Sequence, residues 1–386
     1  LDGITNSDLR NYINNFSTKH IFNKLLQDSV YFKNSITGSV VTGSSLPSLL
    51  TNSNLFQHGL YKYESHLKKN SQFPSKKLKF LSEEFLDNGY FTQALTNFSR
   101  MRPHFGMNIG FMDYTNICTN NFHTSVYFEK MHELIEVSEN NKTFSFFHFI
   151  GGHPPFHPKI NYNHKNTFND NERYFYYSNI EKSELFLEAI INKLKQKNLY
   201  KNTTLIITSD HGRTLKRFNK ANNNFFESRL SVPLIYKPRQ TSFPKFKSKI
   251  INNRVNNVNE IYNLLNKYEK IKLNNNFEVK NNFLWTTITS TYDDLNSFIV
   301  IGYDNSYKWV FKCVLNENNG LKIEIIGQPL AFKIIKTSIV DEERNLYNQV
   351  EENKKKKVKK SLFDFIKQSK NNSFKTERQN ENLFHI

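Results

Sequence analysis

Five residues in separate parts of the sequence are of the types that bind a divalent cation and supply a nucleophile. Asp2 lies near the start, Thr42 opens the segment TGSSLPSLLT, His153 lies in GGHPPF, and Asp210 and His211 lie in SDHG. Two carboxylates, an imidazole and a hydroxyl suit one divalent metal, which can activate the hydroxyl as a nucleophile by stabilising its alkoxide. Each segment alone is a weak signal, because a threonine beside serine and glycine is usually a turn or cap residue. Their order along the chain and their placement at strand ends are the stronger signal.

Predicted strands place several of these residues at one edge of a sheet. An apolar run at 203–209 predicts a buried strand that ends at Asp210, and another at 142–150 predicts a strand that ends shortly before His153. Between them, the apolar spacing at 179–197 predicts a helix. Open parallel sheets carry catalytic groups at the carboxyl ends of their strands, so chemistry is expected there. Pro47 and the apolar run after it predict that Thr42 lies just ahead of a helix, whose N-terminal amide groups favour an anion.

The pattern of elements divides the chain into three parts. Alternating strands and helices indicate a catalytic α/β domain over residues 1–250. A helix at 257–268 and short strands at 297–303, 307–315, 321–326 and 332–336 indicate a smaller α+β subdomain with antiparallel strands over 251–350. Residues 351–386 form a basic, polar tail whose composition does not favour independent folding. The chain opens on Leu1 without a basic and apolar leader, so we expect a truncated first strand and leave the compartment open.

Composition and charge exclude several classes of protein. Hydrophobic residues make up 38% of the chain and aromatic residues 15%, which supports a packed core and excludes a disordered chain. Cys118 and Cys313 are too few for a disulfide scaffold or a thiolate zinc cluster, and no apolar run is long enough to span a membrane. The net charge of +18 is spread through the chain without a nucleic-acid motif, so we expect no specific nucleic-acid partner. The lysine run at 354–360 indicates either peripheral contact with an anionic membrane or polysaccharide, or a solvated chain end.

Several longer segments resemble the sulfatase-like branch of the alkaline phosphatase superfamily. The family's G-V-x-F-x-N segment is similar to VYFKN at 30–34, its L-T-G and H-G residues to Thr51 and His58-Gly59, and its G-Y-x-T segment to GYFT at 89–92. Its H-x-P-Y segment is similar to HPPF at 153–156. Its N-T and S-D-H-G segments are similar to residues within 202–212, its glutamate to residue 227, and its V-P-L-I segment to residues 232–235. Its closing E-x-x-N-L resembles residues 342–346. The resemblance covers most of residues 1–350.

This resemblance implies a three-layer α/β/α fold with a mixed, mostly parallel sheet and a metal-dependent covalent mechanism. The implied metal ligands are Asp2, Asp210, His211 and the Thr42 oxygen. Thr42 would attack in line, and His153 or water would protonate the leaving alcohol. Thr42 lies nine residues before the threonine of the L-T-G segment, where sulfatases place the cysteine or serine that becomes formylglycine. Threonine cannot be converted in this way, and Thr-x-x-Ser-x-Pro is similar to the nucleophile segment of phosphoethanolamine transferases, so phosphoester chemistry is favoured.

The sequence also limits the number and identity of the metal ions and the residues that could bind substrate. No histidine occurs between 213 and 238, where two-metal relatives carry further ligands, so we expect one metal. An imidazole beside two carboxylates favours zinc or manganese over calcium or magnesium. The candidate substrate-binding groups, each of which could instead be structural or solvated, are His58, His153, His157, Arg217 and Lys220. Glu227 and Arg229 could form a buried ion pair near the site.

The sequence leaves three functions open. The leading hypothesis is a hydrolase or transferase that acts on an anionic phosphate or sulfate ester of a glycan, polyol or lipid headgroup. Its final acceptor would be water or an alcohol, as in phosphoethanolamine- or glycerol-phosphate-type transferases. The alternatives are a non-catalytic member that binds an anionic glycan and a purely electrostatic polyanion-binding protein. Intact Thr42, Asp210 and His211 argue against a loss of catalysis.

Overall fold

A computed structural model describes most of the chain as helices and strands in three layers with a separate C-terminal sheet. The described residues are 1–17, 19–60, 72–117, 124–152, 171–213, 225–271, 273, 283–289, 297–316, 322–336, 339–371 and 377–378. The helices are α1 (Asn6–Asn15), α2 (Ile21–Leu26), α3 (Thr42–Thr51), α4 (Leu55–His58), α5 (Leu81–Asp87), α6 (Thr124–Val137), α7 (Asn171–Gln196), α8 (Glu227–Leu230), α9 (Asn257–Leu264) and α10 (Glu352–Asn371).

The strands alternate with these helices in the first part of the chain and follow one another in the last part. They are β1 (Val30–Ile36), β2 (Gln72–Phe73), β3 (Phe91–Thr96), β4 (Asp113–Asn116), β5 (Thr143–Phe147), β6 (Leu205–Thr208), β7 (Leu234–Lys237), β8 (Lys249–Asn256), β9 (Leu284–Thr289), β10 (Ser297–Tyr303), β11 (Tyr307–Asn316), β12 (Lys322–Ile325), β13 (Leu330–Lys336), β14 (Ile339–Val340) and β15 (Glu377–Arg378).

A mixed sheet and a parallel sheet lie side by side in the middle layer. One has the order β6-β7-β1-β8, in which β7 runs antiparallel to β6 and β1, and the other has the parallel order β4-β3-β5. The first three residues of the chain join the edge strands β6 and β5 through backbone hydrogen bonds on both sides. The carboxyl ends of β5 and β6 therefore meet around this segment.

Side chains of β1 show why helices cover both faces of the sheet. Tyr31 packs with α1, α2 and α7 on one face, whereas Val30 and Phe32 pack with α5 and α9 on the other. Successive side chains of a strand point to opposite faces, so an apolar strand needs two covering layers. The predicted three-layer α/β/α fold with a mixed, mostly parallel sheet is confirmed.

The last strands form an antiparallel sheet of the order β14-β13-β11-β10-β9, with β12 paired to β11. One face of this sheet, which includes Ile301, Val310 and Phe332, packs against Ile36 and Val40 of the α/β part. The other face, which includes Trp309 and Phe311, is covered by α10. The sheet thus joins the α/β part on one side and α10 on the other.

Two segments differ from the sequence-based expectation. Strand β8 begins at Lys249 and pairs in parallel with β1, so residues 249–256 lie in the main sheet beside the predicted boundary at 250. Residues 352–371, which we expected to be part of a polar tail, form α10 because Val358, Leu362, Phe365 and Ile366 recur at helical spacing and bury one face.

Among the described residues, no helix combines the length and the apolar character needed to cross a membrane.

Candidate active site

Asp2 is held between the ends of β6 and β5 by the backbone around it. The Leu1 nitrogen donates to Thr208 O at 2.9 Å, and the Asp210 amide donates to Leu1 O at 3.1 Å. On the other side, the Gly152 amide donates to Asp2 O at 2.6 Å. The Asp2 side chain is completely buried. It therefore lies at the sheet edge where the sequence predicted the chemistry.

The segment that follows β6 turns so that Asp210 and His211 face Asp2. Asp210 Oδ1 accepts the amide of His211 at 2.8 Å and the amide of Gly3 at 3.2 Å. A Cβ atom on Gly212 would approach the carbonyl oxygen of Ser228 to 2.3 Å, and backbone cannot yield as a flexible side chain can. Glycine is thus required for α8 to pack directly against this loop.

Thr42 is the first residue of α3 and faces the same edge. The carbonyl of Val41 accepts the amides of Ser44 at 3.0 Å and Ser45 at 2.8 Å, so the helix begins directly after Val41. Thr42 Oγ1 lies 3.2 Å from His211 Nε2, and Thr42 is buried. The sequence predicted Thr42 just ahead of this helix. Its place in the first turn puts the hydroxyl at the positive end of the helix dipole.

The side chains of Asp2, Asp210 and His211 form one buried cluster. One ligand atom from each lies within 4.8 Å of the others. His211 Nε2 is 3.8 Å from Asp2 Oδ1 and 3.5 Å from Asp210 Oδ2. Both carboxylate oxygens of Asp2 and Oδ2 of Asp210 have no hydrogen-bond partner in the described part of the chain. Buried carboxylate oxygens without donors are costly, so this cluster fits a divalent cation.

The hydrogen bonds of His211 also suit a metal ligand. Its Nδ1 lies 2.9 Å from the carbonyl oxygen of Gly212, which can only accept, so Nδ1 carries a proton and donates it. In the neutral ring the lone pair is then on Nε2, which faces Asp2, Asp210 and Thr42. Metal-binding histidines typically donate the other ring N–H to a carbonyl in this way.

The two carboxyl groups differ in their tendency to ionise. Burial, and then the neighbouring charge of Asp210, raises the pKa of Asp2 to about 7, although His211 opposes the shift. Burial also disfavours the charged form of Asp210, but His211 and His148 lower its pKa below the usual value. The raised pKa of Asp2 shows that two carboxylates are costly side by side in this buried position, and a bound cation would offset that cost.

His148 is a site residue that the sequence analysis missed. Its Nε2 lies 3.6 Å from Asp2 Oδ2, its ring stacks on Phe98 at 6.3 Å between centroids, and it is buried. We predicted a strand through residue 150, whereas β5 ends at Phe147. His148 is the first residue after the strand, so the strand end was the signal that could have identified it.

His58 does not have the exposed position that a substrate-binding residue needs. It is fully buried, its Nε2 lies 3.0 Å from Ser48 Oγ, and its Nδ1 accepts the Leu60 amide at 3.0 Å. Burial lowers the pKa of His58 to about 3. The neutral ring therefore connects α3 to the chain after α4, and the predicted substrate contact is replaced by a structural one.

Glu227 forms a buried charge network with the C-terminal sheet instead of the expected pair with Arg229. Its carboxylate lies 2.9 Å from Arg254 Nη1 and 3.1 Å from Lys308 Nζ, and Tyr303 donates to it at 2.6 Å. Lys308 also donates to Glu342, whose carboxylate accepts the Glu227 amide at 3.0 Å. Burial disfavours the Glu227 carboxylate, but Arg254 and Lys308 lower its pKa to about 2. We name these five residues the Glu227 network.

Four other predicted site residues lie outside the described part of the chain. They are His153, the predicted proton donor and a predicted substrate-binding group, and the predicted substrate-binding groups His157, Arg217 and Lys220. Their segments, 153–170 and 214–224, directly follow Gly152 and Arg213 in sequence. Their roles stay predictions.

Comparison with known proteins agrees with the fold, whose α/β/α architecture is that of sulfatase-like proteins of the alkaline phosphatase superfamily. The family model described as Sulfatase matches residues 4–266, which is more than half of the chain. The chain therefore belongs to the Sulfatase family. A search of curated proteins finds no match.

Solved structures share the fold at low sequence identity. A phosphonate monoester hydrolase, SpPMH from Silicibacter pomeroyi, is 11% identical with a TM-score of 0.72, covering 94% of this chain and 93% of its own. Ps i-CgsB in complex with k-i-k-neocarrahexaose is 15% identical with a TM-score of 0.66, covering 96% and 92%. BT1596, a 2-O GAG sulfatase, is 14% identical with a TM-score of 0.64, covering 98% and 93%. The described fold is thus shared over almost the whole length of these chains.

Proposed function

We propose that this protein cleaves an anionic ester, with phosphoesters favoured, through a covalent intermediate on Thr42. The observation that carries the proposal is the position of Thr42 Oγ1, 3.2 Å from His211 Nε2 and at the N-terminus of α3. A hydroxyl placed there lies beside a cation-binding cluster and beside helix amides that favour an oxyanion. Threonine cannot be converted to formylglycine, so its own hydroxyl must be the nucleophile if the intermediate is covalent.

One divalent cation would be held by Asp2, Asp210 and His211, with Thr42 Oγ1 completing the donor set. When bound, it would supply Lewis-acid stabilisation of the negative charge that develops on oxygen. An imidazole together with two carboxylates favours zinc or manganese. The buried oxygens of Asp2 and Asp210 that lack hydrogen-bond donors support this assignment.

The residues of the chain then divide the reaction into two displacements. In the first, Thr42 Oγ1 forms a bond to phosphorus and gives its proton to water, while the bond from phosphorus to the leaving alcohol breaks and that oxygen takes up a proton. In the second, the oxygen of water or of an acceptor alcohol forms a bond to phosphorus and gives its proton to water, while the bond from phosphorus to the Thr42 oxygen breaks and this oxygen takes a proton back from water. We propose His153 as the proton donor and His157, Arg217 and Lys220 as groups that bind the anionic substrate.

A glycan, polyol or lipid headgroup is the proposed carrier of the ester. Ps i-CgsB is solved with a neocarrahexaose, and BT1596 is a 2-O GAG sulfatase, which supports a glycan among these classes. The net charge of +18 favours a polyanionic substrate, because positive potential raises the local concentration of anions. A phosphonate monoester hydrolase with the same fold supports attack at phosphorus.

Steady-state kinetics with a panel of aryl phosphate monoesters, phosphate diesters, phosphonate monoesters and sulfates test the proposal. The chelated protein is assayed before and after zinc or manganese is restored. Thr42→Ala should lower kcat at least about 10³-fold while metal binding persists, because the hydroxyl is one donor among about four. Thr42→Ser should retain part of the activity, and Thr241→Ala, an exposed threonine, serves as the control. Equal rates for Thr42→Ala and the parent would exclude the nucleophile assigned here.

A further inference from the structure

Helix α10 has one face buried against the C-terminal sheet and one face open to solvent. Val358, Leu362 and Phe365 pack in the same cluster as Trp309 and Phe311. Lysines at 356, 357, 359, 360 and 367 are exposed. The helix is thus anchored by its apolar side, and its lysine-rich side is held outward in a fixed orientation.

An aromatic side chain lies in the middle of the exposed lysines. Phe363 is 50% exposed. At about 100° of rotation per residue, four lysines fall within roughly 60° of it on the helix circumference. These lysines, which with Phe363 we name the α10 basic face, are Lys356, Lys359, Lys360 and Lys367.

The lysines of the α10 basic face form no close ion pair. Within the described residues, none of them has a carboxylate within ion-pair distance, whereas Lys354 is paired with Asp304 and Lys355 with Glu352. Glu352 also attracts Lys356 and Lys359 at longer range, and Asp364 is half-buried. The face therefore keeps a net positive charge around one apolar ring.

We propose that the α10 basic face docks on the headgroup region of an anionic lipid bilayer. Clustered lysines on an amphipathic helix are attracted to anionic lipids, each strengthening binding about fivefold near the surface. A half-exposed phenylalanine among them can enter the boundary between headgroups and acyl chains, where aromatic rings are stabilised. The lysine stems reach past the ring, so their ammonium groups stay at the level of the headgroups while the ring inserts.

The combination of charge and an apolar ring favours a lipid surface over a soluble polyanion. Electrostatic attraction to a sulfated polysaccharide requires only the lysines and leaves Phe363 exposed to water. Burial of a phenylalanine in the bilayer boundary removes apolar surface from water and strengthens binding by roughly tenfold or more. The face thus combines electrostatic attraction with one apolar side chain that can enter the bilayer boundary.

This surface is separate from the site around Thr42. Helix α10 covers one face of the C-terminal sheet and contacts α4, which follows the end of α3 opposite to Thr42, whereas the other sheet face contacts residues such as Ile36 and Val40. The lysines can therefore hold the protein at a membrane without contacting the reacting groups. Because the proposal concerns binding alone, it does not depend on the proposed chemistry.

Vesicle co-sedimentation of the full chain tests the proposal. Vesicles of phosphatidylcholine alone are compared with vesicles that contain about one third phosphatidylglycerol, at low salt and at about 0.5 M salt. We expect binding only to the anionic vesicles, with loss at high salt. Replacing the four lysines by glutamine should weaken binding several hundredfold, and Phe363→Ala roughly tenfold.

The control variant carries glutamine at four exposed lysines that are dispersed over the α/β part, namely Lys24, Lys77, Lys142 and Lys201. It makes the same change in net charge and should keep most of the vesicle binding. Equal losses in both quadruple variants would show that only net charge matters and would overturn the proposal. Unchanged binding of Phe363→Ala would overturn the insertion. Binding of the protein to a sulfated polysaccharide through the same lysines, without binding to anionic vesicles, would overturn the proposal. It would indicate that the α10 basic face binds a soluble polyanion.

Discussion

Lys308→Met should strongly lower the free energy of unfolding, although Lys308 belongs to the C-terminal sheet and not to the site around Thr42. Lys308 is completely buried and donates to Phe225 O and Glu342, with Glu227 3.1 Å away. Methionine keeps the apolar stem but removes the ammonium group. Two carboxylates of the Glu227 network would then share Arg254 as the one remaining cation of that network.

The expected loss is about 3–5 kcal/mol in the free energy of unfolding, the usual cost of removing one partner of a buried ion pair. For a chain of 386 residues, the entropy of unfolding is on the order of 0.8 kcal/mol per kelvin, so Tm should fall by about 5 °C. The control is Lys312→Met, at an exposed lysine on the same strand, which should change stability by less than about 0.5 kcal/mol.

The pH dependence gives a second test of the same network. The pKa of Glu227 is lowered to about 2, so its stabilising contribution is present above the unfolded pKa of about 4.5 and is lost as the pH falls towards 2. Without the lysine, the carboxylates of Glu227 and Glu342 take up protons at higher pH than in the parent. The loss in the free energy of unfolding caused by Lys308→Met should therefore become smaller as the pH falls from 7 to 4. Urea unfolding of the parent and both variants measures this. Equal stability of Lys308→Met and Lys312→Met at pH 7 would refute the role of the network.

Three further predictions concern the buried His58 and the metal-binding cluster. His58 has its pKa lowered to about 3, so its contribution is present above the unfolded value of about 6.5 and is lost as pH falls. Between pH 7 and pH 5 the parent should lose about 2 kcal/mol from this group, and urea unfolding of His58→Gln should lack that loss. Gly212→Ala should abolish turnover, because its Cβ would meet Ser228 O at 2.3 Å, and calorimetry should show weakened metal binding. Asp210→Asn should weaken metal binding in the same assay at least about tenfold, since a carboxylate ligand is lost; unchanged affinity would exclude Asp210 as a ligand.

The sequence predicted the strand ends well where one apolar run ended at a polar residue. The strand predicted before Asp210 corresponds to β6, and the helix predicted after Thr42 corresponds to α3. Both predictions were possible because each sequence pattern depends on local burial and on the local turn. His148 was missed because apolar residues flank it on both sides, so the end of β5 is hidden in the sequence. Its role depends on its distance to Asp2, which is far away in the chain.

Long-range contacts account for the other differences. Residues 352–371 looked like a solvated tail because lysines dominate the composition, yet α10 is stabilised by an apolar sheet face that forms only in the folded protein. Glu227 has a nearby arginine in sequence, but its partners Arg254 and Lys308 come from β8 and β11. Sequence spacing cannot reveal which distant cation reaches a buried carboxylate.

Mass spectrometry of a trapped intermediate tests the central claim most directly. The metal-restored protein is mixed with an activated aryl ester, quenched in acid within the first turnovers and digested. The account predicts a phosphoryl, phosphonyl or sulfuryl adduct on the peptide that contains Thr42, and its absence in Thr42→Ala. Turnover that proceeds with no adduct on Thr42, or with the adduct on another residue, would contradict the covalent role of Thr42.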